Sequence, residues 1–369
     1  MSGVWADKRI ALAAGGTGGH VYPALAVLRA LLEHTPPPAE VSFFGRKSGL
    51  ERRLVEPLPV KYIGLSLTGL PRRVSYRWIT SPLLALGAFL KIAGEFFIRR
   101  PHLVIGFGSY VAAPVVLAAL CLRIPTIIHE QNTFPGLANR RLAPWVTRVL
   151  VSDSQTPARL RRADAKPVGI PLRTDVVGAK ADWSALGLTP ERKTLLIFGG
   201  SQGARRICQT VPATLRQMEH DLADWQVLLI TGPGNYEAVK SEPLPENVIV
   251  RPYVEAMGAA YAVADLAVAR AGAVSLAELT ANGVPCVLVP LPIAAGGHQA
   301  RNAHALESRG AACVIDDAVL NPQTLADQLR QLIGNPQRLG EMAQAARSLG
   351  QPDATKKFIE EMESLLEQC

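Results

Sequence analysis

Short, continuous apolar runs alternate with longer stretches of helical periodicity along the whole chain. Continuous apolar runs are typical of parallel strands that are covered on both faces. Ten runs are predicted as strands: 10–14, 41–44, 103–106, 126–129, 149–152, 194–198, 227–230, 248–250, 266–269 and 286–289. Because strands that alternate with helices form right-handed crossover units, the pattern predicts an α/β fold.

A weak internal repeat predicts two domains. Ala-Gly-Gly-Thr-Gly-Gly at 14–19 and Phe-Gly-Gly-Ser-Gln-Gly at 198–203 each end a predicted strand and precede a helical stretch. A length of 369 residues also suits two domains, at ~100–200 residues each. We predict one Rossmann-like domain over 1–168, a second over 169–345, and a terminal helix over 346–369. Packing against the first domain is one option for that helix.

Both glycine-rich turns are candidate phosphate-binding loops, because backbone N–H groups and the helix dipole favour anions at a helix N-terminus. Neither turn is a P-loop, since no Gly-Lys-Ser/Thr follows. The first also lacks the third glycine of the dinucleotide pattern, since Val21 stands there, which argues against nicotinamide or flavin chemistry. His20 closes the first loop, and histidine, with an unperturbed pKa of ~6.5, is suited to general-base catalysis.

Polar side chains follow other predicted strands at the end where open α/β sheets bind ligands. His129 to Asn132 follow one strand, and Arg270 to Glu278 follow another in a stretch of small residues. Arg173 is a candidate phosphate contact, and Glu278 is a candidate acceptor for two sugar hydroxyls. A solvated loop and an ordinary surface residue are the plain alternatives.

Charge divides the chain into a basic and a mildly acidic part. The net charge is +12 over 1–165 and −4 over 166–369. A basic half suits nucleic acid, an anionic membrane or a phosphate-bearing substrate. Nucleic acid is not expected, because no basic helix carries aromatic stacking residues.

The apolar stretch 78–98 is the candidate membrane contact. It contains proline, glycine, lysine and glutamate, so we expect it to lie on a membrane surface rather than cross the bilayer. A buried helix of the first domain is the alternative. The arginines that flank the stretch are Arg72, Arg73, Arg77, Arg99 and Arg100.

The cysteines and the absence of one acidic motif indicate the compartment and argue against a metal site. The five cysteines are scattered without a Cys-x-x-Cys pair, which indicates a reducing compartment. No signal peptide is recognised, so we expect a cytoplasmic location. No Asp-x-Asp is present to hold a diphosphate through a cation. We therefore expect no metal and no cofactor, with backbone amides and an arginine neutralising any diphosphate.

Five motifs in one order and spacing resemble the MurG family of bacterial peptidoglycan N-acetylglucosaminyltransferases. They lie at 15–20, 106–114, 129–140, 199–204 and 269–278. The resemblance implies a GT-B fold, which has two Rossmann-like domains with the active site in the cleft between them. It also implies transfer of N-acetylglucosamine from UDP-N-acetylglucosamine to the C4 hydroxyl of the N-acetylmuramoyl group of undecaprenyl-diphospho-N-acetylmuramoyl-pentapeptide (lipid I). The products would be β-1,4-linked lipid II and UDP, made at the cytoplasmic face of the membrane by a peripheral enzyme.

The same resemblance implies roles for individual residues. His20 is the expected general base, with His129 and Glu130 as the next candidates. On the donor side, the backbone at Val254 would meet uracil and Glu278 the ribose. The full donor-binding set is Thr17, Gly18, Gly19, Asn132, Arg173, Ser201, Gln202, Gly203, Val254, Ala273, Val274, Ser275, Glu278 and Gln299. The acceptor-binding set is Thr17, Gly18 and Tyr110.

Some positions depart from the family pattern. Gly296 and Gly297 stand where two aspartates are frequent, which affects the order of the late loop before Gln299. Ala271 and Ser109 are small replacements with little expected effect. Three other functions stay open: a GT-B transferase for diacylglycerol or sterol, a UDP-N-acetylglucosamine 2-epimerase, and a non-enzymatic nucleotide-sugar binder.

Overall fold

The computed structural model describes residues 4–69, 77–153, 156–200, 203–292 and 297–368. The chain forms two compact units. The first comprises Met1–Arg173 together with Asp353–Cys369, and the second comprises Thr174–Pro352. The sequence predicts a division after residue 168 and a terminal segment from 346; the units divide after Arg173, and the chain returns to the first unit at Asp353.

The first unit contains a parallel sheet of seven strands in the described part of the chain. The strands are β1 (Arg9–Ala13), β2 (Glu40–Arg46), β3 (Lys61–Leu65), β4 (Leu103–Gly106), β5 (Thr126–Glu130), β6 (Arg148–Val151) and β7 (Lys166–Pro167). Their order is β3-β2-β1-β4-β5-β6-β7. The strand order reverses between β1 and β4, which makes this edge the topological switch point, where open α/β sheets bind ligands. Ala13 pairs with Gly106, so the loops after β1 and β4 leave the sheet side by side.

Helices cover both faces of this sheet. They are α1 (Gly18–Glu33), α2 (Leu50–Val55), α3 (Arg77–Ile98), α4 (Ser109–Cys121), α5 (Leu137–Leu142), α6 (Thr156–Leu160) and α15 (Ala354–Leu366), the last from the C-terminus. In α15, Phe358 and Met362 are fully buried in the same core as Leu12 and Phe107. The Phe358 ring stacks on that of Phe107, with centroids 5.5 Å apart. The C-terminal helix therefore completes the core of the first unit.

Helix α3 has one buried face and one exposed face. Ala88, Ile92 and Phe96, spaced four residues apart, lie in the core beneath the sheet. Among the side chains of α3 that the structure describes, the exposed large apolar ones are Leu83, Leu84, Leu86, Leu90, Phe97 and Ile98. Within the described residues, Thr80–Ile98 is long and apolar enough to cross a bilayer by length and composition alone. The sequence left two alternatives for this stretch, an apolar surface patch and a buried core helix. The exposed face of α3 fits the first description, and the buried face fits the second.

The second unit repeats the architecture over its described residues. Its strands are β8 (Lys193–Phe198), β9 (Trp225–Ile230), β10 (Val248–Arg251), β11 (Leu266–Ala269), β12 (Cys286–Leu288) and β13 (Ala312–Val314). Its helices are α7 (Trp183–Leu186), α8 (Arg205–Gln217), α9 (Tyr236–Lys240), α10 (Met257–Ala262), α11 (Ala273–Ala281), α12 (His298–Glu307), α13 (Pro322–Ile333) and α14 (Pro336–Leu349). The strand order β10-β9-β8-β11-β12-β13 places a switch point between β8 and β11. Phe198 pairs with Ala269 there.

The predicted fold class is confirmed. Each of the ten predicted strands overlaps an observed strand, and all adjacent pairs are parallel. Strands β3, β7 and β13 are not among the ten predicted strands. Two of these are very short, and β3 lies at a sheet edge with four of its five residues only partly buried. β3 and β7 lack the continuous apolar run on which the prediction depended, whereas β13 lies in the apolar run 311–315, which was not assigned to a strand.

Candidate active site

The first glycine-rich loop lies at the switch point of the first unit, between β1 and α1. A Cβ on Gly15 would lie 2.7 Å from Glu51 Oε1, and Gly16 has a φ of +94° beneath the Tyr110 ring. Only glycine suits both positions without strain. Thr17 precedes α1 and makes no side-chain capping bond. The predicted residues Thr17, Gly18 and Gly19 thus lie at the start of a helix at the switch point, with Tyr110 beside the preceding Gly16.

His20 is held at this edge by residues that follow other strands. Its Nδ1 lies 2.8 Å from the carbonyl oxygen of Phe107, just after β4, and 3.1 Å from Oε1 of Gln131, just after β5. Gly108 lies against the ring: its φ is +78°, and an added Cβ would lie 3.3 Å from His20 Cε1. The histidine ring is partly exposed and fixed in position.

His129 is fully buried at the end of β5. Its Nε2 hydrogen bonds to the carbonyl oxygen of Gly169 at 2.8 Å, and its ring packs edge-on against those of Phe107 and Phe358. Burial lowers its pKa to about 4, because the charged imidazolium cannot be solvated there. A side chain so enclosed is a poor candidate for exchanging protons with a substrate.

Glu130 is also buried, and its carboxylate organises the loop that follows β5. It accepts hydrogen bonds from the backbone N–H groups of Asn132 and Gly136, both at 3.0 Å. It also accepts from the side-chain amides of Asn132 at 3.1 Å and Asn139 at 2.8 Å. These bonds indicate that Glu130 supports the loop rather than takes part in catalysis. They also hold Asn132, one of the predicted donor-binding residues, in place.

Arg173 is the last residue of the first unit's main segment. Its guanidinium lies 5.6 Å from the centre of the Tyr22 ring on α1, within cation–π range. The predicted phosphate contact is therefore near the helix that begins with the first glycine-rich loop.

The second glycine-rich loop lies at the switch point of the second unit, after β8. A Cβ on Gly199 would lie 2.1 Å from the backbone nitrogen of Ala204, and one on Gly203 would lie 2.1 Å from the Thr231 carbonyl oxygen. The chain therefore folds tightly here only with glycine. Ser201 and Gln202, two predicted donor contacts, lie outside the described residues.

Helix α11 begins after Gly272 with the predicted residues Ala273, Val274 and Ser275, directly after β11. One turn further along, Glu278 Oε2 accepts a hydrogen bond of 2.8 Å from the hydroxyl of Tyr261, whose side chain is buried. Tyr261 fixes the carboxylate predicted to bind ribose, and it is not among the residues predicted from the sequence. No sequence motif marked this pair, because the two residues lie on different helices.

Two further predicted donor contacts lie in the same unit. Val254 is buried in the core beside that sheet, as befits a residue that would act through its backbone. Gln299, on α12, accepts a hydrogen bond of 2.9 Å at Oε1 from the backbone N–H of Leu291. Gly297 caps this helix with a φ of +67°, a conformation that an aspartate adopts less readily, whereas Gly296 lies outside the described residues.

The described residues contain no group of three or more His, Cys, Asp or Glu side chains placed to hold a metal ion. Two parallel α/β units, each with a glycine-rich loop at its switch point, have the architecture of a GT-B glycosyltransferase. Comparison with known proteins agrees. The Glycosyltransferase family 28 N-terminal domain matches residues 10–151, and the Glycosyltransferase family 28 C-terminal domain matches residues 194–358.

Among curated relatives, a Desulfitobacterium hafniense (strain DSM 10664 / DCB-2) protein is 41% identical over 95% of this chain and 97% of its own length. A Bacillus subtilis (strain 168) protein is 36% identical over 97% of this chain and 99% of its own. Both are named UDP-N-acetylglucosamine--N-acetylmuramyl-(pentapeptide) pyrophosphoryl-undecaprenol N-acetylglucosamine transferase.

Solved structures give the same result. Acinetobacter baumannii MurG is 32% identical, with a TM-score of 0.77 over 99% of this chain and 100% of that one. A UDP-N-acetylglucosamine 2-epimerase from Listeria monocytogenes has a TM-score of 0.71 at 14% identity, over 99% of this chain and 98% of that one, which shows a shared fold alone. The chain belongs to the MurG family, within glycosyltransferase family 28. The resemblance seen in the sequence motifs is thereby confirmed.

Proposed function

We propose that this enzyme transfers N-acetylglucosamine from UDP-N-acetylglucosamine to lipid I, which gives lipid II and UDP for peptidoglycan synthesis. The observation that carries the proposal is the match, over nearly the full length of both chains, with relatives named for this transfer. The two switch-point loops supply the chemistry that two diphosphate-bearing substrates need. Backbone N–H groups at a helix N-terminus bind phosphate without a metal ion.

The second unit is the proposed donor side. The loop from Gly199 to Gly203 would bind the UDP diphosphate, with Arg173 as the cation that neutralises it. Glu278, already fixed by Tyr261, would accept hydrogen bonds from the ribose hydroxyls. The backbone at Val254 would meet uracil, and Gln299 and Asn132 the N-acetylglucosamine.

The first unit is the proposed acceptor side, with Thr17, Gly18 and Tyr110 in contact with lipid I. The C4 oxygen of N-acetylmuramic acid attacks the anomeric carbon and forms the new β-1,4 bond, while the bond from that carbon to UDP breaks. The C4 hydroxyl proton passes to His20, and the electron pair leaves with the diphosphate. General-base catalysis of this kind typically contributes ~10²–10⁴-fold to the rate.

A UDP-release assay with UDP-N-acetylglucosamine and a lipid I analogue tests this function. We expect acceptor-dependent UDP release that persists in EDTA, and a fall in kcat of about 10²-fold or more in His20→Ala with little change in donor affinity. Preference for diacylglycerol or a sterol as acceptor would favour a different GT-B transferase. Donor turnover without acceptor would favour an epimerase. Donor binding with no UDP release would leave a nucleotide-sugar binder.

We also propose that the enzyme works at the cytoplasmic face of the cell membrane, attached through the exposed face of α3. This face carries six exposed large apolar side chains among the described residues and ends at the exposed Arg99 and Arg100. Apolar residues beside arginines suit the boundary of an anionic bilayer. Arg72 and Arg73, which also belong to the predicted basic rim, lie outside the described residues, and the Arg77 side chain is not described.

A further inference from the structure

The proton on the His20 ring can be assigned from its neighbours. The carbonyl oxygen of Phe107 only accepts hydrogen bonds, and His20 Nδ1 lies 2.8 Å from it, so Nδ1 carries a hydrogen. A neutral imidazole has one N–H, which leaves a lone pair on Nε2. Within the described part of the chain, Nε2 makes no hydrogen bond, and the ring is partly exposed. The geometry thus leaves Nε2 able to take a proton.

Gln131 is the side chain that completes this arrangement. It is almost entirely buried, and its Oε1 lies 3.1 Å from His20 Nδ1, where it accepts a share of the same N–H. Its Nε2 donates to Phe107 O at 3.0 Å. The reverse amide orientation would set an N–H against the N–H of His20 and oxygen against the oxygen of Phe107. Only one orientation therefore suits both neighbours.

His129 selects the same orientation from the other side. Its Nε2 donates to Gly169 O, so its Nδ1 is an acceptor, and Gln131 Nε2 lies 3.2 Å from that nitrogen. Because burial lowers the pKa of His129 to about 4, it stays neutral and keeps accepting at physiological pH. A charged His129 would present an N–H to Gln131, and His129 would then no longer favour this orientation of the Gln131 amide.

We propose that Gln131 is a positioning residue that holds His20 with its proton on Nδ1, and that neutral His129 orients the Gln131 amide for that task. This inference rests on the proposed function, since it concerns the group assigned there as the base. Gln131 itself touches neither His20 Nε2 nor any group assigned to substrate. Its effect on turnover passes through His20.

Nitrogen-15 NMR of histidine-labelled enzyme tests the tautomer directly, without any assay of activity. The chain has seven histidines, and the His20 signals are those lost in His20→Ala. We expect the His20 proton on Nδ1 and, as an internal contrast, the His129 proton on Nε2. Gln131→Met keeps the side-chain length without the amide and leaves Phe107 O as the remaining described acceptor at Nδ1, so the share of His20 with its proton on Nε2 should rise above that in the wild-type enzyme. A His20 proton on Nε2 in the wild-type enzyme would overturn the inference.

Kinetic measurements then distinguish a role of Gln131 in positioning His20 from a purely structural role. Gln131→Met should lower kcat by about 10–100-fold, less than loss of the base itself, and leave the donor KM unchanged. The double variant with His20→Ala should be no slower than His20→Ala alone, because both changes act on one group. Multiplying losses in the double variant would show a separate role for Gln131 and contradict the inference.

A matched control is available in the second unit. Gln226 is as buried as Gln131, and its amide donates to Thr189 O at 2.7 Å. Gln226→Met should lower the stability about as much as Gln131→Met does, and it should leave both the His20 tautomer and the kcat unchanged. If wild-type enzyme releases no UDP, the proposed function fails while the NMR result still decides the tautomer. If wild-type enzyme is active and Gln131→Met behaves like Gln226→Met, the positioning role alone fails.

Discussion

His129, predicted from the sequence as a candidate base, is fully buried at the end of β5. The run from His129 to Asn132 lies at a strand end, where the sequence predicts a ligand site. The strand order does bring this run to the switch-point edge. Burial then divides the run: Asn132 is partly exposed, whereas His129 and Glu130 are enclosed. Sequence spacing cannot report the enclosure of His129, because it involves Phe358, which lies more than 200 residues away.

The buried His129 makes the stability of the first unit depend on pH. Its pKa is about 4 when folded, against 6.5 ordinarily, so the unfolded chain binds the extra proton between these values. The free energy of unfolding is therefore unaffected by the titration of His129 above pH 6.5, and it decreases as the pH falls towards 4. The expected loss is about 2 kcal/mol at pH 5. Urea unfolding followed at pH 7 and pH 5 measures it.

His129→Gln supplies the comparison, since glutamine does not titrate. The variant should be less stable at pH 7, because it loses the bond to Gly169, but its decline towards pH 5 should be shallower than that of the wild-type protein. Parallel declines in the two proteins would assign the pH dependence to other groups.

At the scale of elements, α15 carries more of the first unit's stability than its position at the chain end suggests. Phe358 is fully buried between Phe107 and His129. Outside this core, Glu361 pairs with Arg148 at 2.9 Å and Lys166 at 2.8 Å. The Arg148–Glu361 pair is partly buried and Lys166 is exposed; ion pairs near a surface contribute about 0–1 kcal/mol, so the packing of the aromatic ring dominates.

Phe358→Ala should therefore destabilise the first unit by about 3–5 kcal/mol, the range for deleting a buried aromatic side chain. Hydrogen exchange should speed up in peptides from β1 and β4, while peptides from β8 and β9 keep their protection. Phe97→Ala, at a position that is 82% exposed, is the control in the same unit and should change little. Equal effects of the two substitutions would contradict the role given to α15.

The sequence predicted elements well where one local pattern determines them. Continuous apolar runs predicted the central strands, and the glycine repeats marked both switch-point loops. The edge strand β3 was not predicted, because its partly exposed residues do not form a continuous apolar run. Pairs such as Glu278 with Tyr261, or His20 with Gln131, depend on how helices and loops pack in three dimensions. No spacing in the sequence reveals such pairs.

At the scale of the whole molecule, charge and apolar surface coincide in the first half of the chain. The +12 over 1–165 lies in the unit that carries the exposed face of α3, whereas −4 lies over 166–369. Basic residues near an anionic surface contribute ~1 kcal/mol each. Together with the apolar face, they suit reversible attachment.

Vesicle sedimentation tests this attachment on the full chain. We expect binding to vesicles that contain anionic lipid, weaker binding as salt rises, and little binding to neutral vesicles. Leu86→Glu with Leu90→Glu, at positions 54% and 61% exposed, should weaken binding strongly without loss of fold. Val319→Glu, 56% exposed in the second unit, is the matched control. Binding that the α3 substitutions leave intact would place the contact elsewhere.

The return of α15 to the first unit also has a consequence for the order in which the protein is made. Synthesis runs from the N-terminus, and domains generally fold as they emerge from the ribosome. Here the first unit lacks Phe358 and Met362 until α15 is synthesised, so the second unit is complete before the first. A nascent chain therefore exposes an unfinished core throughout the synthesis of residues 174–352. A frameshift within the codons of α15, residues 354–366, would damage the half of the protein that was translated first.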